Sequence, residues 1–149
     1  MQDKTIFLAS DHGGANLKNH LRDWLATQGY TPKDLGTNSP DTSVDYPDKA
    51  ESLVQQMREN PTTRGILVCT TGIGMSIAAN RYDFIRGALV LNTDMAKMSR
   101  SHNDANVLIF GAKYMDTKLA EECTQIFLNT AFEGGRHARR VKKLNCLGG

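Results

Sequence analysis

Four short clusters in the sequence bring together side chains able to do chemistry. They are Asp11 with His12 ahead of Gly13 and Gly14, Cys69 ahead of the turn Thr70, Thr71, Gly72, Ile73 and Gly74, His102 beside Asn103, and Arg136 four residues before Arg140. A thiol that faces a helix start and a nest of amides is available as thiolate, either as nucleophile or as base. Cysteine also serves as a small buried hydrophobe, so the residue type alone leaves both readings open for Cys69. Asp11 and His12 precede glycines that let backbone approach a ligand closely. His102 offers an acid or base at neutral pH, while Asn103 and Asp104 are equally good turn formers. Arg136 and Arg140 share one face of a helix and could grip a single phosphate, to which Lys113 would add a cation; the alternative is a solvated basic face.

Gly72 and Gly74 also read as G-x-G, with Asp94 about 20 residues further on where a ribose-binding acid would stand. Against a dinucleotide turn, Ile77 replaces the third glycine, the turn is not the first of the chain, and no G-K-[ST] follows.

These clusters must be positioned by the elements around them. "TIFLAS", "GILVC", "GALVL" and "NVLIF" are continuous apolar runs rich in branched residues, as expected of strands buried on both faces of a parallel sheet. "YTPKDLG" is a weaker fifth strand, which Pro32 assigns to an edge. Between them, Leu17, Leu21, Trp24 and Leu25 form one apolar helical stripe, Ala50, Leu53, Val54 and Met57 a second, and Leu119, Cys123, Ile126 and Phe127 a third. Strands alternating with helices predict a Rossmann-like three-layer α/β/α fold with a five-stranded, mainly parallel sheet. In such sheets ligands sit beyond the carboxyl ends of the strands, where "SDHGG", "CTTGIG", "NTD" and "GAK" lie. The polar stretch "GTNSPDTSVDYPDKAE" reads as a loop bordering that site.

A chain of 149 residues suits one domain, with a core over 1–131 and a basic tail over 132–149 in which Gly134 and Gly135 break the chain before a helical segment. That tail is expected to pack on a partner subunit. With 40% hydrophobic and 23% charged residues, the composition argues for a globular protein rather than a disordered or fibrous one. No apolar stretch approaches the roughly 20 residues of a membrane span, and "MQDKTIFLASDHGG" has no signal-peptide pattern, so a cytoplasmic protein without a membrane partner is expected. The three cysteines, Cys69, Cys123 and Cys146, suggest neither a disulfide framework nor a zinc site. Nucleic-acid binding lacks support because only 7% of residues are aromatic and no stacking platform is present.

Taken in order and spacing, "SDHGG", "DYPD", "CTTGIGMSIAAN", "SRSHNDANVL" and "EGGRHARRV" strongly resemble the type B ribose-5-phosphate isomerases of the ribose/galactose isomerase family, which also includes allose- and galactose-6-phosphate isomerases. The likeness covers residues 5 to 144. It implies an aldose–ketose isomerase of the non-oxidative pentose phosphate pathway. The subunit is expected to work as a homodimer or dimer of dimers with active sites shared between chains, and with no metal or organic cofactor. Cys69 matches the base that shuttles a proton between C2 and C1, and His102 the group that assists ring opening. Asp11, His12 and Asn103 match substrate contacts, Thr70, Thr71, Gly72, Ile73 and Gly74 the loop that holds the enediolate, and Arg136, Arg140 and Lys113 the phosphate clamp. Two positions depart from the family pattern. Thr70 replaces a usual glycine, which bears on whether a five- or six-carbon sugar is taken, and Lys113 replaces a usual arginine, a point charge in place of a bidentate fork.

Overall fold

The computed structural model describes residues 3–148. The four apolar runs fold as β1 (Thr5–Ser10), β3 (Arg64–Cys69), β4 (Gly87–Leu89) and β5 (Val107–Gly111), and the weaker run as β2 (Thr31–Asp34). They form one sheet in the order β2-β1-β3-β5-β4, parallel at every pairing. Pro32 lies on an edge strand, where its missing N–H is tolerated. The run "GALVL" departs from the expectation of a strand buried on both faces. β5 inserts between β3 and β4, so β4 becomes the opposite edge, three residues long and half-buried, and Leu91 beyond it is 47% exposed.

Among the described residues, α1 (Ala15–Thr27), α2 (Tyr46–Glu59), α3 (Ile73–Ala79) and α4 (Thr93–Ser101) connect successive strands, and α5 (Thr117–Asn129) and α6 (Arg136–Leu144) follow β5. Local chemistry sets several starts. Asn92 and Asp116 accept the amides of Met95 and Leu119 at 2.8 and 2.7 Å, caps worth about 0.5–2 kcal/mol each, and α2 opens with Pro47 in its first turn. The stripes predicted from spacing face the sheet: Leu17, Leu21 and Leu25 of α1 join Cys123 and Phe127 of α5 on one face. Ala50, Leu53, Val54 and Met57 of α2 join Met75 and Ala79 of α3 on the other. Full burial of a side chain the size of leucine or methionine contributes about 1.5–3 kcal/mol, so these two slabs hold the sheet from both sides.

The connections separate two edges of the sheet. Register pairs Ser10 with Val68 and Cys69 with Gly111, so β1, β3 and β5 end level with one another. α1 leaves β1 towards β2 while α3 leaves β3 towards β4, on opposite faces, so a crevice opens between the ends of β1 and β3. Because β4 and β5 are parallel, α4 must run back to the opposite, amino edge before β5 begins, and α5 ends there too.

Candidate active site

At the carboxyl edge, backbone packing brings Asp11, His12, Cys69 and the Thr70–Gly74 loop together. Asp11 caps the 3-10 turn His12–Gly14, its Oδ1 accepting the Gly14 amide at 3.1 Å. That turn runs against β3 closely enough that a Cβ on Gly14 would meet the Val68 carbonyl carbon at 2.6 Å, and one on Gly13 would collide with the Thr70 hydroxyl. The Thr70 side chain therefore lies on Gly13, beside Asp11. Cys69 is buried, and the Gly72 amide donates to its Sγ at 3.1 Å, which fixes the sulfur against the loop. Gly72 holds φ +79°, and a Cβ there would stand 3.1 Å from the carbonyl carbon of Phe110 and 3.0 Å from the amide nitrogen of Gly111, so only glycine forms this turn. Thr71 Oγ1 accepts the Ile73 amide, and Lys113 donates its backbone amide to the Thr70 carbonyl at 3.0 Å.

The polar loop predicted beside the site closes on His12. The Val44 amide donates to His12 Nδ1 at 3.2 Å, which assigns the ring proton of the neutral imidazole to Nε2 and makes His12 a donor there. Lys18, fully buried, anchors the start of this loop: its Nζ donates to both carboxylate oxygens of Asp34 and to Asn38 Oδ1, each at 2.8 Å. Burial pushes the Lys18 ammonium below its ordinary value, with Asp34 opposing. Burial raises the Asp34 carboxyl, but Lys18, the Gly36 amide and Arg22 outweigh it and hold it below the usual carboxylate range.

His102, Asn103, Arg136 and Arg140 are elsewhere. His102 caps the end of α4 and Asn103 follows it, so both sit at the amino edge. The Glu133 amide donates to the Ser101 carbonyl at 3.0 Å, which ties the start of the tail to the same place, and Gly134 and Gly135, at φ +72° and +56°, turn the chain into α6. Within one chain, the six residues of β3 at roughly 3.3 Å each separate this cluster from Cys69 by about 20 Å. The phosphate clamp of Arg136, Arg140 and Lys113 is accordingly not assembled in one chain, since Lys113 stays at the carboxyl edge.

Sequence reasoning missed three groups. Tyr46, within the quoted "DYPD", lays its ring against Gly74, with Cε1 2.6 Å from where a Cβ would be, and so walls the Cys69 loop. Glu133 and His137 surround His102: the two imidazoles stack with centroids 4.2 Å apart, and Glu133 Oε1 lies 3.8 Å from His102 Nε2 and 3.7 Å from His137 Nε2. The i, i+4 spacing of Glu133 and His137 is visible in "EGGRHARR", but the link to His102 is tertiary. These three offer ligand atoms all within 4.8 Å of one another. Burial first, then the neighbouring charges of His102 and Arg136, pushes the His137 ring below its ordinary value. Of the other thiols, burial pushes Cys123 up to about 11, and Cys146 is exposed in the tail.

No helix among the described residues is long and apolar enough to cross a membrane. Residues 6–144 match the family described as Ribose/Galactose Isomerase. A ribose 5-phosphate isomerase of Thermotoga maritima is 45% identical, with TM-score 0.94 over 98% of this chain and 100% of that one. Ribose-5-phosphate isomerase B of Mycoplasma genitalium, whose structure holds bound ribulose-5-phosphate, is 37% identical with TM-score 0.91 over 95% and 94% of the two chains. Ribose-5-phosphate isomerase B of Escherichia coli is 36% identical over 97% of this chain and 96% of its own. In sequence from β1 to the end of α6, and in the fold that carries its Cys69 crevice, this chain belongs to the ribose/galactose isomerase family.

Proposed function

We propose that the protein interconverts ribose 5-phosphate and ribulose 5-phosphate through a cis-enediolate, in the cytoplasm and within the non-oxidative pentose phosphate pathway. The observation that carries this reading is the Cys69 thiol at the switch point of the sheet, held by the Gly72 amide, with the Asp11–His12 turn packed on its neighbours Val68 and Thr70. Cys69 removes the proton on C2 of the open-chain aldose while negative charge moves onto O1. The same sulfur returns the proton at C1 while the O2 proton passes to O1, which leaves a hydroxyl on C1 and the ketose carbonyl at C2. One base reaching two adjacent carbons, with amides and His12 Nε2–H placed as donors to the developing oxyanion, meets the needs of this reaction.

The phosphate is remote from the reacting carbons, and its binding energy holds C1 and C2 against sulfur. Arg136 and Arg140 supply that anchor, and His102 with Asn103 the ring-opening end, from a second copy of the chain. The separation of the two clusters supports a shared site. So does an apolar band along the β4 edge, where Ile73, Ile77, Leu91, Met95 and Met98 are each between 37% and 54% exposed, a surface suited to a second copy.

Ketose formation from ribose 5-phosphate, allose 6-phosphate and galactose 6-phosphate, measured separately and without added metal, tests the reaction. Turnover is expected on the five-carbon substrate, and its absence on all three overturns the reading. Mixing Cys69→Ala protein with an Arg136→Ala, Arg140→Ala variant tests the sharing. Random pairing in a dimer restores one intact site in about half of the dimers, roughly a quarter of wild-type activity, and no recovery after subunit exchange refutes a composite site.

A further inference from the structure

We propose that His102, Glu133 and His137 form a binding site for a borderline divalent transition ion, Zn2+ in particular, and that filling it reversibly inhibits the enzyme by withdrawing His102 from ring opening. The inhibitory half rests on the isomerase reading above, whereas the binding half does not.

The fold brings the three ligands together from separate elements. His102 ends α4, Glu133 is tied to that end through the Ser101 carbonyl, and His137 sits in the first turn of α6, its amide donating to the Gly134 carbonyl at 3.0 Å. Glu133 Oε1 lies almost equally far from the two Nε2 atoms, at 3.8 and 3.7 Å. An ion bonded to nitrogen and oxygen at about 2.0–2.1 Å in tetrahedral geometry needs its ligand atoms roughly 3.3 Å apart. The carboxylate is half an ångström from that spacing and, being 58% exposed, reaches it by rotation. The two imidazoles, stacked 14° from parallel with ligand atoms within 4.8 Å, must turn out of the stack so that both ring planes meet at the ion.

The donor set selects the ion. Two imidazoles and one carboxylate suit Zn2+ and its neighbours, whereas Mg2+ and Ca2+ prefer oxygen ligands throughout. Three protein ligands leave a fourth position for water, and the exposed Arg136 and Arg140 nearby oppose a dication. Both features make for a reversible ligand rather than a resident structural ion.

The test begins with metal binding by the intact protein, using Co2+ absorption and equilibrium dialysis of Zn2+. One ion per chain is expected, and Glu133→Gln and His137→Gln should each weaken binding at least tenfold, with circular dichroism confirming that both variants fold. Cys69→Ser and Cys146→Ser should leave binding unchanged. Stoichiometric binding that survives both Glu133→Gln and His137→Gln, or that disappears with either cysteine, overturns the site, as does no binding at all. The kinetic arm titrates Zn2+ against ribose 5-phosphate turnover. Inhibition reversed by chelator, with the half-inhibitory zinc concentration at least tenfold higher in Glu133→Gln, is expected. Binding without inhibition overturns the coupling to His102. Failure of the metal-free protein to turn over any sugar phosphate overturns the isomerase reading instead, and the binding measurement stands apart from it.

Discussion

At the carboxyl edge of the sheet, the groups around Cys69 are held by backbone: the Gly72 amide on sulfur, the Val44 amide on His12, and glycines at 13, 14 and 72 that leave no room for a side chain. At the amino edge, the cluster around His102 joins side chains on the end of one helix and the start of another, and the closest contacts between those side chains are 3.7 and 3.8 Å. The first edge is preorganised for a reaction that needs donors fixed within fractions of an ångström. On the proposed reading the second, through Arg136 and Arg140, grips a phosphate brought to it. On that reading, proton transfer at carbon and phosphate anchoring are built by different means, and one chain keeps the two clusters about 20 Å apart.

Removing the base breaks the comparison most sharply. Cys69→Ala is expected to lower turnover by about 10²–10⁴-fold while sugar-phosphate binding, read by calorimetry, stays largely intact; substantial residual turnover excludes Cys69 as the base. Next in size is Asp34→Ala, which leaves the buried Lys18 ammonium without its carboxylate. A loss of about 3–5 kcal/mol in denaturant unfolding is expected, together with a weaker hold on the loop that orients His12. Gly72→Ala forces a Cβ onto the Phe110–Gly111 backbone at a positive φ, and a cost of about 1–3 kcal/mol is expected from thermal melts.

Arg140→Ala sharpens the contrast at the other edge. Loss of one charge-assisted contact to phosphate should raise KM by about 10- to 100-fold and lower kcat less; a selective fall in kcat would move Arg140 into the chemistry. The smallest effect is on pH dependence. Because the native state holds the Asp34 carboxyl below its ordinary 3.8, the unfolded chain binds more protons in that range. The stabilisation is full above pH 3.8 and declines as pH falls through the lower native value, and Asp34→Asn should reduce that acid-limb slope in unfolding curves.

The elements around the carboxyl edge were legible because local patterns determine them. Branched apolar runs gave β1, β3 and β5, and Gly72 marked the start of α3 because a left-handed turn there excludes other residues. The β4 run misled because its apolar character matches a buried strand, while its place at the edge follows from β5 inserting beside β3. Tyr46 and Glu133 went unassigned because their significance lies in what they touch across the fold, Gly74 and His102, and no spacing encodes those contacts.

The amino-acid sequence by itself determined the three-layer fold, the strand-end motifs and the family, because hydrophobic period and turn chemistry act over a few residues and recur in fixed order. Only the tertiary structure decided that the motifs fall into two groups. A parallel sheet returns each connection to the opposite edge, so Cys69 at the end of β3 and His102 before β5 are separated by the length of the strands between them, a distance that a linear order of motifs does not contain.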